Sequence, residues 1–301
     1  VAEAGVLPVP VDAPTLGALC DAVARLIIPR SGRDAPREAR ELLAALHDMP
    51  RHWPAIERGS AVSPDDWSRA LRAAQRFADG APLQYAAGQA SFRHLTLDVD
   101  ERVLIPRPET EQLVEIVLDA VGREPGGIAV DVGTGSGAIA LALASEGPFA
   151  QVIATDVSRD ALVVARRNAA RCAPSLRARL SLRDGSVLRP VPERPLRAVV
   201  SNPPYIAFDE AAALPSGVRD WEPAVALFAS ANGMAVIASL VQEAAAALGD
   251  EGLLAMEVDT RRASLVAELV ASHGAYGEAR VLLDLTGRER FVVARRRGEA
   301  R

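Results

Sequence analysis

The chain reads as an α/β protein: a mostly parallel sheet with helices on both faces, preceded by a small N-terminal helical domain and a β-hairpin linker. Three observations predict this. Apolar strand-like runs alternate with helical stretches from Pro108 onward. A glycine-rich loop, Gly133-Thr134-Gly135-Ser136-Gly137, follows the first of those runs. An Asn202-Pro203-Pro204-Tyr205 turn follows the fourth. Open α/β sheets bind ligands at the carboxyl ends of their strands, so both loops are candidate site elements.

Taken in order, residues 1–13 are rich in Pro and Val without periodicity and read as a loose leader. The start Val1-Ala2-Glu3 has no basic region of the kind a signal peptide carries. Residues 14–80 read as a helical recognition domain. Leu16, Leu19, Val23, Leu26 and Ile27 recur at helix spacing, and a second helix over 36–47 places Leu42, Leu43 and Leu46 on one face. A third helix has Ser63 as N-cap, Pro64 at its first position, and Asp65 and Asp66 in its first turn; it runs to Gly80. Across 81–106, Phe92, Leu95, Leu97, Val99, Val103 and Ile105 show strand-like spacing, with Asp98, Asp100 and Glu101 near the turn, which predicts the hairpin linker. Residues 107–301 form the main domain, opening with a helix over 108–121. Strands are expected at 128–132, 151–155, 178–182, 198–201 and 252–258, and near 278–284 and 289–295. The intervening helices are expected from 138, over 159–172, over 233–248 and over 261–273.

Bulk properties exclude some classes. A net charge of −5 argues against a protein built mainly to grip nucleic-acid phosphates. All 34 basic residues are arginine, which reads as a coding bias rather than a functional choice. Cys20 and Cys172 are far apart, so neither a disulfide framework nor a zinc site is expected, and a reducing cytoplasm fits. No apolar run approaches the roughly 20 residues that span a bilayer, so no membrane partner is expected.

A glycine loop between strand and helix lets a ligand approach the backbone closely. Nicotinamide dinucleotide enzymes use G-x-G-x-x-G at the same place. Here the loop is Gly-x-Gly-x-Gly, Asp131 stands two residues before it, and Asp184-Gly185 ends the third strand. This set resembles the S-adenosylmethionine pocket of class I, Rossmann-like methyltransferases. On that resemblance, loop 133–137 would pass under the methionine and ribose of the cofactor. Asp156 would accept from the ribose hydroxyls and Asp184 from the adenine amine. Asp131 would brace the loop or attract the positive end of the amino acid. Asp156 also reads as a helix cap and Asp184 as a turn former.

The Asn202–Tyr205 turn offers acceptors without competing donors, because prolines have no N–H. An amide or aromatic amine is a poor nucleophile, since its lone pair is delocalised. Two oxygens gripping its two N–H bonds would fix the nitrogen and support the charge that grows there. The Asn202 side-chain oxygen and the Pro203 carbonyl are the natural pair, and Tyr205 adds a ring for a planar group to pack on. No general base is evident. A rigid turn without chemistry is the plainer reading of the same tetrad.

Together these segments resemble the HemK/PrmC-type protein-(glutamine-N5) methyltransferases. Pro82-Leu83-Gln84-Tyr85 with Gly88 and Phe92, then Leu104-Ile105-Pro106-Arg107-Pro108-Glu109-Thr110-Glu111, then Asp131–Gly137, Ser201–Tyr205, Arg219 with Glu222-Pro223, and Asn232-Gly233 carry the likeness over roughly residues 15–295. The resemblance implies methyl transfer from S-adenosyl-L-methionine, released as S-adenosyl-L-homocysteine, to the glutamine of the Gly-Gly-Gln motif in class I peptide chain release factors. It implies that Asn202, Pro203, Pro204 and Tyr205 bind that glutamine. It implies further that Gly133–Gly137, Asp156 and Asn202 line the cofactor, that the helical domain helps dock the release factor, and that the helix from Pro108 sits beside the pocket. Two positions depart from the pattern. Gly185 stands where a bulky or aromatic residue is common, and Glu257-Val258-Asp259 replaces a Glu-x-Gly. An adenine-N6 nucleic-acid methyltransferase needs the same grip on an exocyclic amine. A ribosomal-protein glutamine methyltransferase and a non-catalytic binding module are further alternatives.

Overall fold

The computed structural model describes residues 14–298, so the leader expected at 1–13 lies outside the described residues. The chain divides into two compact units. One extends through Ala90 and takes in Ser216–Trp221; the other comprises Ser91–Pro215 and the chain from Glu222.

The first unit is helical: α1 (Leu16–Ser31), α2 (Ala35–Leu46), α3 (Trp53–Ile56), α4 (Pro64–Ala78) and α5 (Leu83–Ala87). Thr15 caps α1 by accepting from the Ala18 N–H at 3.2 Å, and Ser63 caps α4 by accepting from the Asp66 N–H at 3.0 Å. Leu19, Val23, Leu42, Leu43 and Phe77 close into one buried core, against which Trp221 packs. Each buried leucine contributes roughly 2 kcal/mol from area removed from water. Periodicity did not foretell α3 and α5, since four or five residues are too short to show it. Helix α5 stops at Gly88, whose φ of +76° is left-handed.

Strands β1 (Gln89–Phe92) and β2 (Leu95–Asp98) form a separate two-stranded sheet. The hairpin is therefore shorter than its apolar spacing suggests. Val99, Val103 and Ile105 are buried outside any strand, where Arg102 pairs with Asp100 at 2.6 Å.

The second unit carries α6 (Pro108–Val121), β3 (Ile128–Val132), α7 (Ala138–Glu146), β4 (Gln151–Asp156), α8 (Arg159–Arg171), α9 (Pro174–Arg177), β5 (Leu180–Asp184) and β6 (Leu196–Ser201). After β6 come α10 (Ser216–Arg219, part of the helical unit), α11 (Ala224–Leu227), α12 (Ala235–Ala247), β7 (Leu248–Glu257), α13 (Ala263–Ser272), β8 (Arg280–Leu283) and β9 (Glu289–Arg295). The sheet order is β5-β4-β3-β6-β7-β9-β8, parallel up to β7 and antiparallel beyond. Strand β5 starts at Leu180 rather than Ala178 because Pro174 opens a helical turn just before it. Strand β7 starts at Leu248, four residues ahead of Gly252, where it already pairs with Leu196.

The inner strands bury both faces. Val130, Ile153, Val199 and Leu254 face one core, and their neighbours Ala129, Val152, Ala198 and Leu253 face the other. This is why the strands read as continuous apolar runs instead of alternating ones. Helix α7 is buried at every position from Ala138 to Ala144, so no polar face was available to mark it in sequence.

Candidate active site

The strand order reverses between β3 and β6, which pair with Val132 opposite Ser201. The glycine loop and the Asn-Pro-Pro-Tyr turn therefore leave the sheet side by side, at the switch point where open α/β sheets bind ligands. A cavity of about 250 Å³ opens there. Gly133, Thr134, Gly135, Ser136, Asp156, Asn202 and Pro204 line it. Asp131, Gly137, Asp184, Pro203 and Tyr205 do not.

The loop is pinned from beneath. The N–H groups of Gly133 and Thr134 donate to the Thr155 carbonyl at 2.9 and 3.0 Å. Asp131, fully buried, accepts at one oxygen from the Thr134 hydroxyl at 2.6 Å and from the Ala140 N–H at 3.0 Å. Its other oxygen, Oδ1, is buried with no hydrogen-bond partner. Burial pushes the Asp131 carboxyl up to about 7. Gly133 and Gly135 have φ of +72° and +54°, and a Cβ at either would meet no protein atom within 4 Å. Gly137 differs: a Cβ there would stand 3.3 Å from Leu141 and 3.5 Å from Ala165. Its role is close packing of loop on helix.

Asp156 accepts from the Gly135 N–H at 2.9 Å and the Ser158 N–H at 2.8 Å, one at each oxygen. Each oxygen keeps a second lone pair. Burial raises its carboxyl above the ordinary range. Asp184 is exposed and accepts from Arg159 at 2.6 Å, away from the cavity lining. Gly185, Ser186 and Val187 line the cavity in its stead. Gly185 offers no ring for stacking, and a Cβ there would press on Pro190 at 3.0 Å.

The Asn202 amide is oriented by two residues that sequence reasoning did not single out as site residues. Asn202 Nδ2 donates to Thr110 Oγ1 at 3.1 Å, and Thr110 Oγ1 donates to Glu257 Oε2 at 2.7 Å. Thr110 and Glu257 are both buried. Burial pushes the Glu257 carboxyl up to about 7 and the Tyr205 hydroxyl up to about 12. The signal for Glu257 was present in outline: Ser201 pairs with Met256, so a glutamate closing that apolar run falls level with Asn202. Two more such residues are Arg107, which lines the cavity, and the buried Glu222 that accepts from it at 2.5 Å. Among the described residues no cluster of three or more His, Cys, Asp or Glu could hold a metal, and no helix is long and apolar enough to cross a membrane.

The chain matches the model of the methyltransferase small domain over residues 109–214 and that of the PrmC N-terminal domain over residues 28–88. It is 40% identical over 281 residues to the release factor glutamine methyltransferase of Deinococcus radiodurans, covering 93% of this chain and 98% of that one. The protein of the same name from Moorella thermoacetica is 40% identical over 283 residues, covering 94% and 98%. That of Mycolicibacterium smegmatis is 41% identical over 273 residues, covering 88% and 92%. Among solved structures, the hMettl16 catalytic domain in complex with MAT2A 3′UTR hairpin 6 gives a TM-score of 0.54 at 16% identity, covering 81% of this chain and 86% of that one. A methyltransferase from Pyrococcus furiosus gives 0.50 at 19% identity, covering 68% and 89%. These two likenesses concern the fold alone, which is that of a class I methyltransferase. By its sequence, the chain belongs to the release factor glutamine methyltransferase family.

Proposed function

We infer that this chain is an enzyme that transfers the methyl group of S-adenosyl-L-methionine to the side-chain amide nitrogen of a peptide chain release factor glutamine, the one in the Gly-Gly-Gln motif. The observation that carries the reading is the Asn202 amide, tethered through Nδ2 at the edge of a cavity floored by the glycine loop. Adenine-N6 and ribosomal-protein readings fit less well, because relatives near 40% identity over most of the chain bear the release factor name.

The residues present fit the cofactor on two observations. Asp131 Oδ1, off the cavity lining but next to its residue Val132, is buried and keeps its capacity to accept a hydrogen bond unused within the protein. Gly133 and Gly135 leave open space where side chains would stand. Loop 133–136 would hold the cofactor, with Asp156 offering its remaining lone pairs to ribose hydroxyls. Asp184 is held by Arg159, so the backbone at Gly185 and Ser186 is the better candidate for the adenine edge. When bound, the cofactor supplies an electrophilic sulfonium methyl and leaves as S-adenosyl-L-homocysteine.

Asn202 Oδ1 would accept one N–H of the substrate amide. The Pro203 carbonyl, whose peptide leads into the cavity-lining Pro204, would accept the other. Both oxygens are fixed before the substrate arrives, so they stabilise the charge that develops on nitrogen without reorganising. The proton then leaves to water. We place the reaction in the cytoplasm, with neither nucleic acid nor membrane as partner.

Incubating the protein with S-adenosylmethionine and a full-length class I release factor, then mapping added methyl by mass spectrometry, tests the reading. Methyl on the Gly-Gly-Gln glutamine supports it; methyl on DNA or RNA but on no protein overturns it.

A further inference from the structure

An amide side chain has two ends of opposite polarity and nearly the same shape. A substrate amide gripped by its hydrogens needs the oxygen end of Asn202; the nitrogen end would repel them. Nothing in the Asn-Pro-Pro-Tyr tetrad selects between the two ends. The selection lies outside it, on α6 and β7.

We propose that Thr110 and Glu257 are positioning residues that set the polarity of the Asn202 amide, holding Nδ2 inward so that Oδ1 is presented to the substrate. The logic is one of hydrogen count. Thr110 has a single hydroxyl hydrogen. The Glu257 carboxyl takes it through Oε2 at 2.7 Å, an oxygen that accepts both in the ionised group and in the neutral one that carries its proton on Oε1. Thr110 Oγ1 is then left with lone pairs only and faces Asn202 as an acceptor, at 3.1 Å. An acceptor there can be met only by the NH₂ end of the amide. Were the Thr110 hydrogen free, it could donate to Oδ1 equally well, and the amide would turn over.

The elements make this geometry robust. Thr110 sits in the first turn of α6, with its N–H bound to the Arg107 carbonyl at 3.1 Å, so its Cβ is fixed by the helix start. Glu257 ends β7 beside β6, one step past the Ser201–Met256 pair. Thr110 is 4% exposed and Glu257 2%, so water does not compete for either hydrogen bond. The function of a buried acidic strand end that contacts no described cation directly becomes intelligible: it takes one hydrogen and so dictates a second.

This inference rests on the reading of Asn202 as the substrate's acceptor, and the test separates the two. Thr110→Val removes the hydroxyl at constant shape, Thr110→Ser keeps it, and Glu257→Gln replaces the accepting carboxyl oxygen with an amide that can turn its NH₂ to donate to Thr110. Two readouts are taken on each. The first is steady-state methylation of a full-length release factor. Thr110→Val and Glu257→Gln should each lower kcat about tenfold or more, with the KM for S-adenosylmethionine within about twofold of wild type, and Thr110→Ser should restore most of the rate. In the Thr110→Val background, Glu257→Gln should add little. The second readout needs no substrate: solvent exchange of the Asn202 side-chain NH₂ in ¹⁵N-labelled protein, its resonances identified by their loss in Asn202→Ala. Those protons should be protected in wild type and Thr110→Ser and exposed in Thr110→Val and Glu257→Gln. Should Thr110→Val not fold, Glu257→Gln carries both readouts. Unchanged kcat and unchanged protection in these variants would overturn the proposal. Altered protection in a protein that methylates no glutamine would leave the positioning role intact and remove the functional reading beneath it.

Discussion

Gly233 lies so close to Tyr205 that a Cβ added to the glycine would stand 2.0 Å from the Tyr205 carbonyl oxygen and 2.8 Å from its carbonyl carbon. Those are backbone atoms and cannot swing aside. Gly233 also has a φ of +83°, which an L side chain adopts only with strain. The glycine therefore sets how near the loop before α12 approaches the tetrad. Gly233→Ala should displace Tyr205 and with it Asn202. We expect a loss of about 2–3 kcal/mol in stability, by analogy with overpacking, and a fall in methylation of about 100-fold. Thermal melting and single-turnover rates check both, and a variant with wild-type rate would contradict the assigned constraint.

Asn202→Ala removes an acceptor that acts on the developing charge. The expected fall in kcat is about 10²–10³-fold, the range for deleting one preorganised group in such a site. Cofactor binding, measured by calorimetry, should stay within a few-fold of wild type. Near-normal turnover in this variant would contradict the role given to the tetrad.

Asp131 braces the glycine loop through two hydrogen bonds, from the Thr134 hydroxyl and the Ala140 N–H. Asp131→Ala leaves both donors buried without an acceptor, each at about 1–3 kcal/mol. The variant should melt earlier and bind S-adenosylmethionine at least tenfold more weakly. Isothermal titration on the folded fraction distinguishes loss of the ligand contact from loss of fold.

Stability should respond to pH through Glu257. Burial raises its carboxyl from the ordinary 4.5 up to about 7. The folded protein thus holds a proton that the unfolded chain has already released over this window. The contribution is fully present below about pH 4.5 and is lost as pH rises toward 7, by roughly 3 kcal/mol at most. Comparing the pH dependence of Tm for wild type and Glu257→Gln isolates this group from the arginine-paired carboxylates, whose slopes run the other way. The variant's Tm should fall less between pH 4.5 and 7; parallel curves would refute the assignment.

The Arg107–Glu222 ion pair gives a further handle on the cavity wall. Glu222 has a side chain 1% exposed, and its Oε2 has no partner beyond the Arg107 pair made by Oε1. Removing Arg107 alone leaves that charge buried and uncompensated, which should cost about 3–5 kcal/mol. The double variant Arg107→Met with Glu222→Leu should recover most of this loss in chemical denaturation.

Much of the architecture was legible because it rests on local rules. Ser63 and Pro64 announced the start of α4, and the apolar runs at Ile128–Val132 and 198–201 announced strands buried on both faces. The two loops were legible for the same reason: a glycine with left-handed φ and a proline pair leave few alternatives. What stayed hidden was pairwise and distant. Thr110 and Glu257 are 147 residues apart, and neither advertises the other. The surroundings of Asp184 were hidden too, because a strand-ending aspartate looks alike whether it stands free or, as here, pairs with Arg159. Short helices such as α3 and α5 escaped because they span barely more than one turn, too little for an apolar pattern to repeat.

Trp221 belongs to the core of the helical unit although the chain reaches it more than a hundred residues after that unit's other helices have closed. A fragment ending near Ala90 would lack its indole and expose the part of the core against which the ring packs. A fragment beginning there would carry the same ring with nothing to cover it. The helical unit is thus completed by a segment that the sequence supplies only after most of the sheet strands.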